Sequence, residues 1–227
     1  MELSLMNEKP AAESACLICD RDKPELFVEI PDVPVQCNAL WPSREGALNA
    51  PRGDIRLGFC TNCGHIFNLA FEPERMAYSQ TYENSLCFSP RFQDYASSLA
   101  RRLVEDYDLY DKEIVEIGSG QGDFLRLLCE LGNNRGIGFD PSYAPEDPVQ
   151  LASGQVSFVR EYYSERHAGH QADLICCRHV LEHLDAPMNL LRMLRRMAGS
   201  RSGTILFFEV PNVLATLRDL AIWDIIY

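Results

Sequence analysis

Five short, nearly all-apolar runs, EIVEI (113–117), RGIGF (135–139), QVSFV (155–159), ADLICC (172–177) and TILFFEV (204–210), are separated by stretches of different character. The connecting segment DFLRLLCEL (123–131) and segments near 187–197 and 212–222 carry apolar residues at helical spacing. Strands apolar on both sides must be covered on both faces, so the pattern predicts an α/β fold, a parallel sheet with helices on either side. Such sheets bind ligands at the carboxyl ends of their strands. An earlier helix is expected from Ser89 as cap and Pro90 at its first position. Phe92, Tyr95, Ala96, Leu99, Leu103 and Tyr107 form its core-facing stripe.

The first predicted strand ends in EIGSGQGD (116–123), with glycines at alternate positions. Gly118, Gly120 and Gly122 permit positive φ and let a ligand approach bare backbone, and the following helix offers free N–H groups. A tight turn alone would also use them. A dinucleotide fingerprint reads G-x-G-x-x-G, but here the third fingerprint position is Asp123, and Glu116 precedes the bend. Two acids suit a diphosphate badly and a cation well.

The Glu116-x-Gly118-Ser119-Gly120-x-Gly122 segment resembles the first motif of class I S-adenosylmethionine-dependent methyltransferases, which implies a Rossmann-like sheet. That resemblance assigns cofactor contacts to Glu116, Gly118, Ser119, Gly120 and Gly122. It also asks for an acid at the tip of the second strand, met by Asp140, followed by Pro141, and for a polar group after the third, met by Glu161. After the fourth strand a segment should line the sulfonium end, met by Arg178 and His179 in ADLICCRHVLEH. Asp140 can alternatively cap a helix begun by Pro141, and Glu161 can be a plain loop acid. HVLEH also fits H-x-x-E-H, a zinc protease signature, but that needs both histidines on one helix, whereas a buried strand runs straight into His179. A loop hydrogen bond is the plain role for His183.

Nine cysteines in a chain whose first residues lack an export signal point to metal or reactive thiols rather than to disulfides. Cys16-x-x-Cys19 and Cys60-x-x-Cys63 supply four sulfurs for a tetrahedral structural Zn2+ with no open position. Independent redox pairs are the alternative, and Cys37 and His65 are reserve ligands. Cys87, Cys129, Cys176 and Cys177 fall in or near apolar segments and read as core. The expected organisation is a tail (1–14), a zinc-binding, β-rich lobe (15–75), a linking segment and helix (76–109) and a methyltransferase domain (110–227).

The two cysteine pairs, YSQTYENSLCFSPRF, the methyltransferase motifs, FFEVPN and IWDIIY together resemble the zinc-containing sugar C-methyltransferases. The resemblance implies methylation of a carbon next to a ketone in a nucleotide-linked deoxysugar, through an enolate. It makes Tyr78, Tyr82, His183 and Tyr227 candidate catalytic residues, although Tyr78 and Tyr82 are equally readable as core aromatics. The family's proposed base is a histidine just after the tyrosine matched by Tyr227. The chain is therefore expected to be truncated before its last strands and third region, or to use another base such as His183 or Glu182. Transfer to oxygen or nitrogen of another natural product, and a cofactor-binding module that needs a partner chain, are the rival readings.

A formal charge of −12 without a basic run disfavours nucleic acid and anionic lipid, and no window is apolar enough to span a bilayer. The expected setting is cytoplasmic and the expected partner a small-molecule substrate. A homo-oligomer is left open.

Overall fold

A computed structural model describes residues 15–21, 23–35, 41–75, 88–144, 150–167, 169–199 and 203–219. Tyr78, Tyr82, Cys37, Cys87 and Tyr227 lie outside these residues. The chain divides into two compact units, one running to residue 77 and including 185–188 and 213 onward, the other comprising 78–184 and 189–212.

In the first unit, β1 (Glu25–Pro34), β2 (Arg52–Phe59) and β3 (Ile66–Asn68) form an antiparallel sheet in that order, with helix α1 (Arg44–Leu48) between β1 and β2. Pro31 and Pro34 fit into β1 because the pairing slips between Ile30 and Val33, where Asp32 takes a positive φ. The core is small: Val35 and Ile55 are buried against Ile30, Val33, Leu57 and Phe71. A unit with so little apolar burial needs a further crosslink.

The second unit is built on a five-stranded sheet with every neighbouring pair parallel. Its strands are β4 (Glu113–Ile117), β5 (Arg135–Phe139), β6 (Gln155–Val159), β7 (Leu174–Arg178) and β8 (Ile205–Glu209), in the spatial order β6-β5-β4-β7-β8. All five predicted strands are present, each within two residues of the expected limits. The order reverses between β4 and β7, which is where sheets of this type open a crevice for ligands.

Pleating sends alternate residues of β4 to opposite faces. Ile114 joins a core with Cys129, Cys176, Leu103, Val104, Phe124, Leu125 and Leu128, from helices α2 (Pro90–Asp106) and α3 (Asp123–Gly132) among other elements. Val115 and Ile117 join another with Phe139, Ile175, Cys177 and Leu194, the last from helix α4 (Pro187–Gly199). Helices therefore cover both faces, as the apolar strands require. Cys129, Cys176 and Cys177 are core, as expected. A further helix, α5, runs Val213–Arg218.

Ser89 caps α2 through its hydroxyl, which accepts the Phe92 N–H, and Pro90 is the first helical residue. The expected apolar stripe is corrected at two positions. Tyr95 and Tyr107 are half exposed, and the buried face is carried by Ala96, Ala100, Leu103 and Val104. Tyr95 instead uses its hydroxyl, as described below.

Candidate functional site

Three glycines carry the chain from β4 into α3, with φ of +69° at Gly118, +54° at Gly120 and +82° at Gly122. Only Gly120 borders open space: a Cβ there would meet nothing within 4 Å. A Cβ on Gly118 would lie 2.1 Å from Val180 Cγ2, and one on Gly122 2.3 Å from Phe158 Cζ. The bend is thus bare toward a ligand at its centre and packed at both ends.

Gly122 is the N-cap of α3 and has no side chain with which to satisfy the helix's first N–H groups. Glu116 does this from the neighbouring strand by accepting the backbone hydrogen bond of Leu125. Its carboxyl is 2 % exposed, yet Oε2 has no hydrogen-bond partner. Burial is the main cause that lifts its pKa to about 8, with Asp123 and Asp140 adding to the rise while Arg178 opposes it. A buried acceptor with an unused lone pair two residues before a glycine bend suits a donor that brings positive charge.

Asp140 follows β5 directly. Its Oδ2 accepts the Gly120 N–H at 2.8 Å, and Oδ1 accepts the backbone and hydroxyl of Ser142 at 2.7 and 2.6 Å. The helix-cap alternative is not realised: residues 141–144 form a turn and irregular chain. Pro141 sits in that turn, where its fixed φ helps fold the loop back on Asp140. A carboxylate has about four acceptor positions, so one remains on Oδ2 for a ligand hydroxyl.

Ser119 and Glu161 have different surroundings. The Ser119 hydroxyl is buried without a partner and lies against Gly138, where an added Cβ would sit 2.6 Å from it. Its N–H is taken by the Phe139 carbonyl. Glu161, just beyond β6, pairs with Arg166 at 2.6 Å and lies 3.5 Å from His167, so its charge is already compensated.

The tips of β7 and β8 hold an ion network. Arg178 ends β7, and its Nε donates to Glu209 Oε2 at 2.5 Å while its guanidinium lies 3.9 Å over the Phe124 ring. Glu209 ends β8 and also accepts the Tyr95 hydroxyl. His179 has φ +53°, donates its N–H to the Glu209 carbonyl, and sets its ring 3.5 Å from Glu182 and 3.7 Å from Glu209. Those two carboxylates raise its pKa to about 9. Burial works against ionised Glu209, but hydrogen bonds from His179, Tyr95 and Arg178 prevail and hold it at about 2. His183 lies in a short 3-10 turn (Leu181–His183), and burial lowers its pKa.

This geometry removes the zinc-protease alternative, because His179 leaves a strand and His183 belongs to a separate single turn. Glu209 was not singled out as a site residue from sequence. The available signal was its place in FFEVPN, an acid at the end of an apolar strand, comparable to Glu116 near the end of β4 and Asp140 just after β5.

The first unit holds a candidate metal centre. Cys16, Cys19, Cys60 and Cys63 bring their sulfurs within 4.8 Å of one another, with Cys16–Cys63 and Cys19–Cys60 each at 3.6 Å. Disulfide sulfurs lie about 2.05 Å apart, whereas a tetrahedron with metal–sulfur bonds of about 2.3 Å has edges near 3.8 Å. Both C-x-x-C segments fold alike. Asp20 N–H returns to the Cys16 carbonyl and Gly64 N–H to that of Cys60, and both closing residues have positive φ. The long excursion between the pairs is β1, α1 and β2, with β2 delivering Cys60 at its end. This donor set fits a closed tetrahedral Zn2+ site, and it is the only such group of His, Cys, Asp and Glu among the described residues.

A parallel sheet with its order reversing beside an acid-flanked glycine bend defines an α/β domain of the Rossmann-like type. Residues 89–224 match the family described as a methyltransferase domain, well over half the chain, and the chain belongs to that family. The ubiquinone biosynthesis O-methyltransferase of Citrobacter koseri is 26% identical over 109 residues, covering 46% of this chain and 44% of that protein. A cyclopropane-fatty-acyl-phospholipid synthase-like protein from Lactobacillus casei aligns in structure with a TM-score of 0.35 and 20% identity, over 48% of this chain and 47% of that one. The chain thus spans less than half the length of these relatives. No described helix is long and apolar enough to cross a membrane.

Proposed function

We propose that this chain binds S-adenosylmethionine on the glycine bend and directs methylation of a small molecule. When bound, the cofactor supplies a methyl group activated by its sulfonium. The carrying observation is Glu116 Oε2, a buried carboxyl oxygen without a partner on the residue two before Gly118. Glu116 would take the cationic amino-acid end, Asp140 a ribose hydroxyl, and Gly120 would leave room for the ligand against its backbone. Titration calorimetry with S-adenosylhomocysteine tests this: the chain binds it, and Asp140→Ala weakens binding by at least about tenfold. Heat with a nicotinamide dinucleotide and none with S-adenosylhomocysteine would reject it.

For the acceptor we favour a nucleotide-linked ketosugar methylated at the carbon beside the ketone. Support comes from the sequence resemblance and from two histidines just after β7 that between them hold both roles such chemistry needs. His179, protonated at neutral pH, is a donor for a developing enolate oxygen, and His183, kept neutral by burial, is in the form that accepts a proton. Loss of the acceptor's α-proton to solvent deuterium, followed by mass spectrometry, tests it. Transfer to oxygen is the second reading, favoured by the name of the Citrobacter relative, and it predicts methylation without that exchange.

The same proposal gives Cys16, Cys19, Cys60 and Cys63 a Zn2+ that holds the first unit together and takes no part in chemistry. Four sulfurs leave it no open position.

A further inference from the structure

On the sheet face that carries Glu116, one guanidinium serves two carboxylates. Glu116 is in register with Cys176 of β7, Arg178 follows two residues later on the same face, and Arg178 is in register with Glu209 of β8. Arg178 and Glu209 are both largely buried, with side-chain exposures of 9% and 15%. A buried guanidinium and a buried carboxylate on one face ordinarily pair, because leaving either alone is costly. Here the pairing goes wholly to Glu209. Arg178 is held by Glu209 Oε2 on one side and by the Phe124 ring on the other, while the second oxygen of Glu209 is anchored by Tyr95 of α2. Glu116 Oε2 is left without a partner, although Arg178 is near enough to act on its charge.

We propose that Glu209 is a positioning residue for the cofactor site: by holding Arg178 on β8 it keeps the guanidinium off Glu116 and leaves Glu116 Oε2 for the cationic end of the ligand. This rests on the reading that the glycine bend binds an S-adenosyl ligand, and it explains how a site containing an arginine still selects a cation. Arg178 and His179 set against Glu209 and Glu182 are neutral as a group and contribute little net field to their surroundings. Arg178 alone would be a competitor, a tethered cation beside the vacant oxygen.

The test compares two ligands and three variants of the full chain. S-adenosylhomocysteine carries the ammonium group, and methylthioadenosine has the same nucleoside without the amino acid. In Glu209→Gln, S-adenosylhomocysteine should bind at least about tenfold more weakly, while methylthioadenosine stays within about twofold of wild type. Removing the competitor as well, in Arg178→Met combined with Glu209→Gln, should restore S-adenosylhomocysteine to within about threefold. A Glu209→Gln variant that binds both ligands as wild type does, loses both equally, or is not rescued by the second substitution overturns the inference. If Glu209→Gln does not fold, Glu209→Asp replaces it, with a smaller loss expected for S-adenosylhomocysteine alone, and an equal loss for both ligands refutes the role. Wild-type chain that binds neither ligand refutes the cofactor reading itself.

Discussion

Asp140 Oδ2 accepts the Gly120 N–H at 2.8 Å, so the tip of β5 and the bend after β4 are joined by the same carboxylate proposed to meet the ligand. The proposed binding and the local folding therefore meet at Asp140. Substituting alanine removes three hydrogen bonds from a largely buried position and should cost about 1–3 kcal/mol of stability. Chemical denaturation measures this, and an unchanged midpoint would mean that the bend holds without Asp140.

Gly118 and Gly120 separate packing from ligand space. Gly118→Ala adds a methyl that collides with Val180 at a positive φ and should unfold the bend. Gly120→Ala pays only the left-handed backbone cost, about 1–2 kcal/mol, because its Cβ enters open space. The expected pattern is a large melting-temperature loss for the first, and for the second a small one with S-adenosylhomocysteine binding impaired. Equal stability losses would contradict it.

Glu116 predicts a pH dependence of stability with a defined sign. The unfolded carboxyl ionises at its ordinary value near 4.5, but the folded one holds its proton to about 8. Between these values the folded state binds more protons, so stability is greatest below the window and is lost as pH rises through it, by at most about 1.4 kcal/mol per pH unit. The groups facing Glu116 are Arg178 of β7, Asp123 of α3 and Asp140 after β5. Denaturation from pH 5.5 to 8 should show this slope in wild type and a flatter one in Glu116→Gln. A binding ammonium favours the ionised form, so S-adenosylhomocysteine affinity should rise as pH approaches 8.

His179 should stay protonated at neutral pH and titrate near 9, which proton NMR of its ring reads directly. With its folded pKa raised above the ordinary 6.5, its contribution is fully present below that value and lost as pH rises through about 9. Glu182→Gln removes the largest cause of the rise and should return the titration toward its ordinary range. A His179 that titrates near 6.5 in wild type would show that its carboxylates do not act on it.

The four-cysteine centre predicts one Zn2+ per chain by elemental analysis. Cys60→Ser should release it and destabilise the first unit by several kcal/mol, since the buried residues of that unit's apolar cluster are only Val35 and Ile55. Calorimetry with and without a chelator checks this, and a metal-free chain with the same melting profile would refute the structural role.

Strand and helix placement was legible because it depends on local pattern. The runs around Ile114, Ile137 and Ile175 are too apolar for any position but a covered parallel strand, and Ser89-Pro90 starts α2 by local hydrogen bonding and a fixed φ. Glu116 near the end of β4 and Asp140 just after β5 were legible for the same reason, since a strand end followed by glycine or proline marks its own position. The spacing of Cys16, Cys19, Cys60 and Cys63 identified a four-sulfur set before its sulfurs were seen to converge.

What the sequence determined by itself was the set of elements and the residues at their tips, because periodicity and turn chemistry act over a few neighbours. Only the tertiary structure decided which tips engage one another. Arg178 could have paired with Glu116 or Glu209, Ser119 could have faced a ligand or the sheet, and Tyr95 could have packed inward or reached Glu209. Those choices depend on strand order and register across the sheet, contacts between residues as far apart as 95 and 209, which no local pattern encodes.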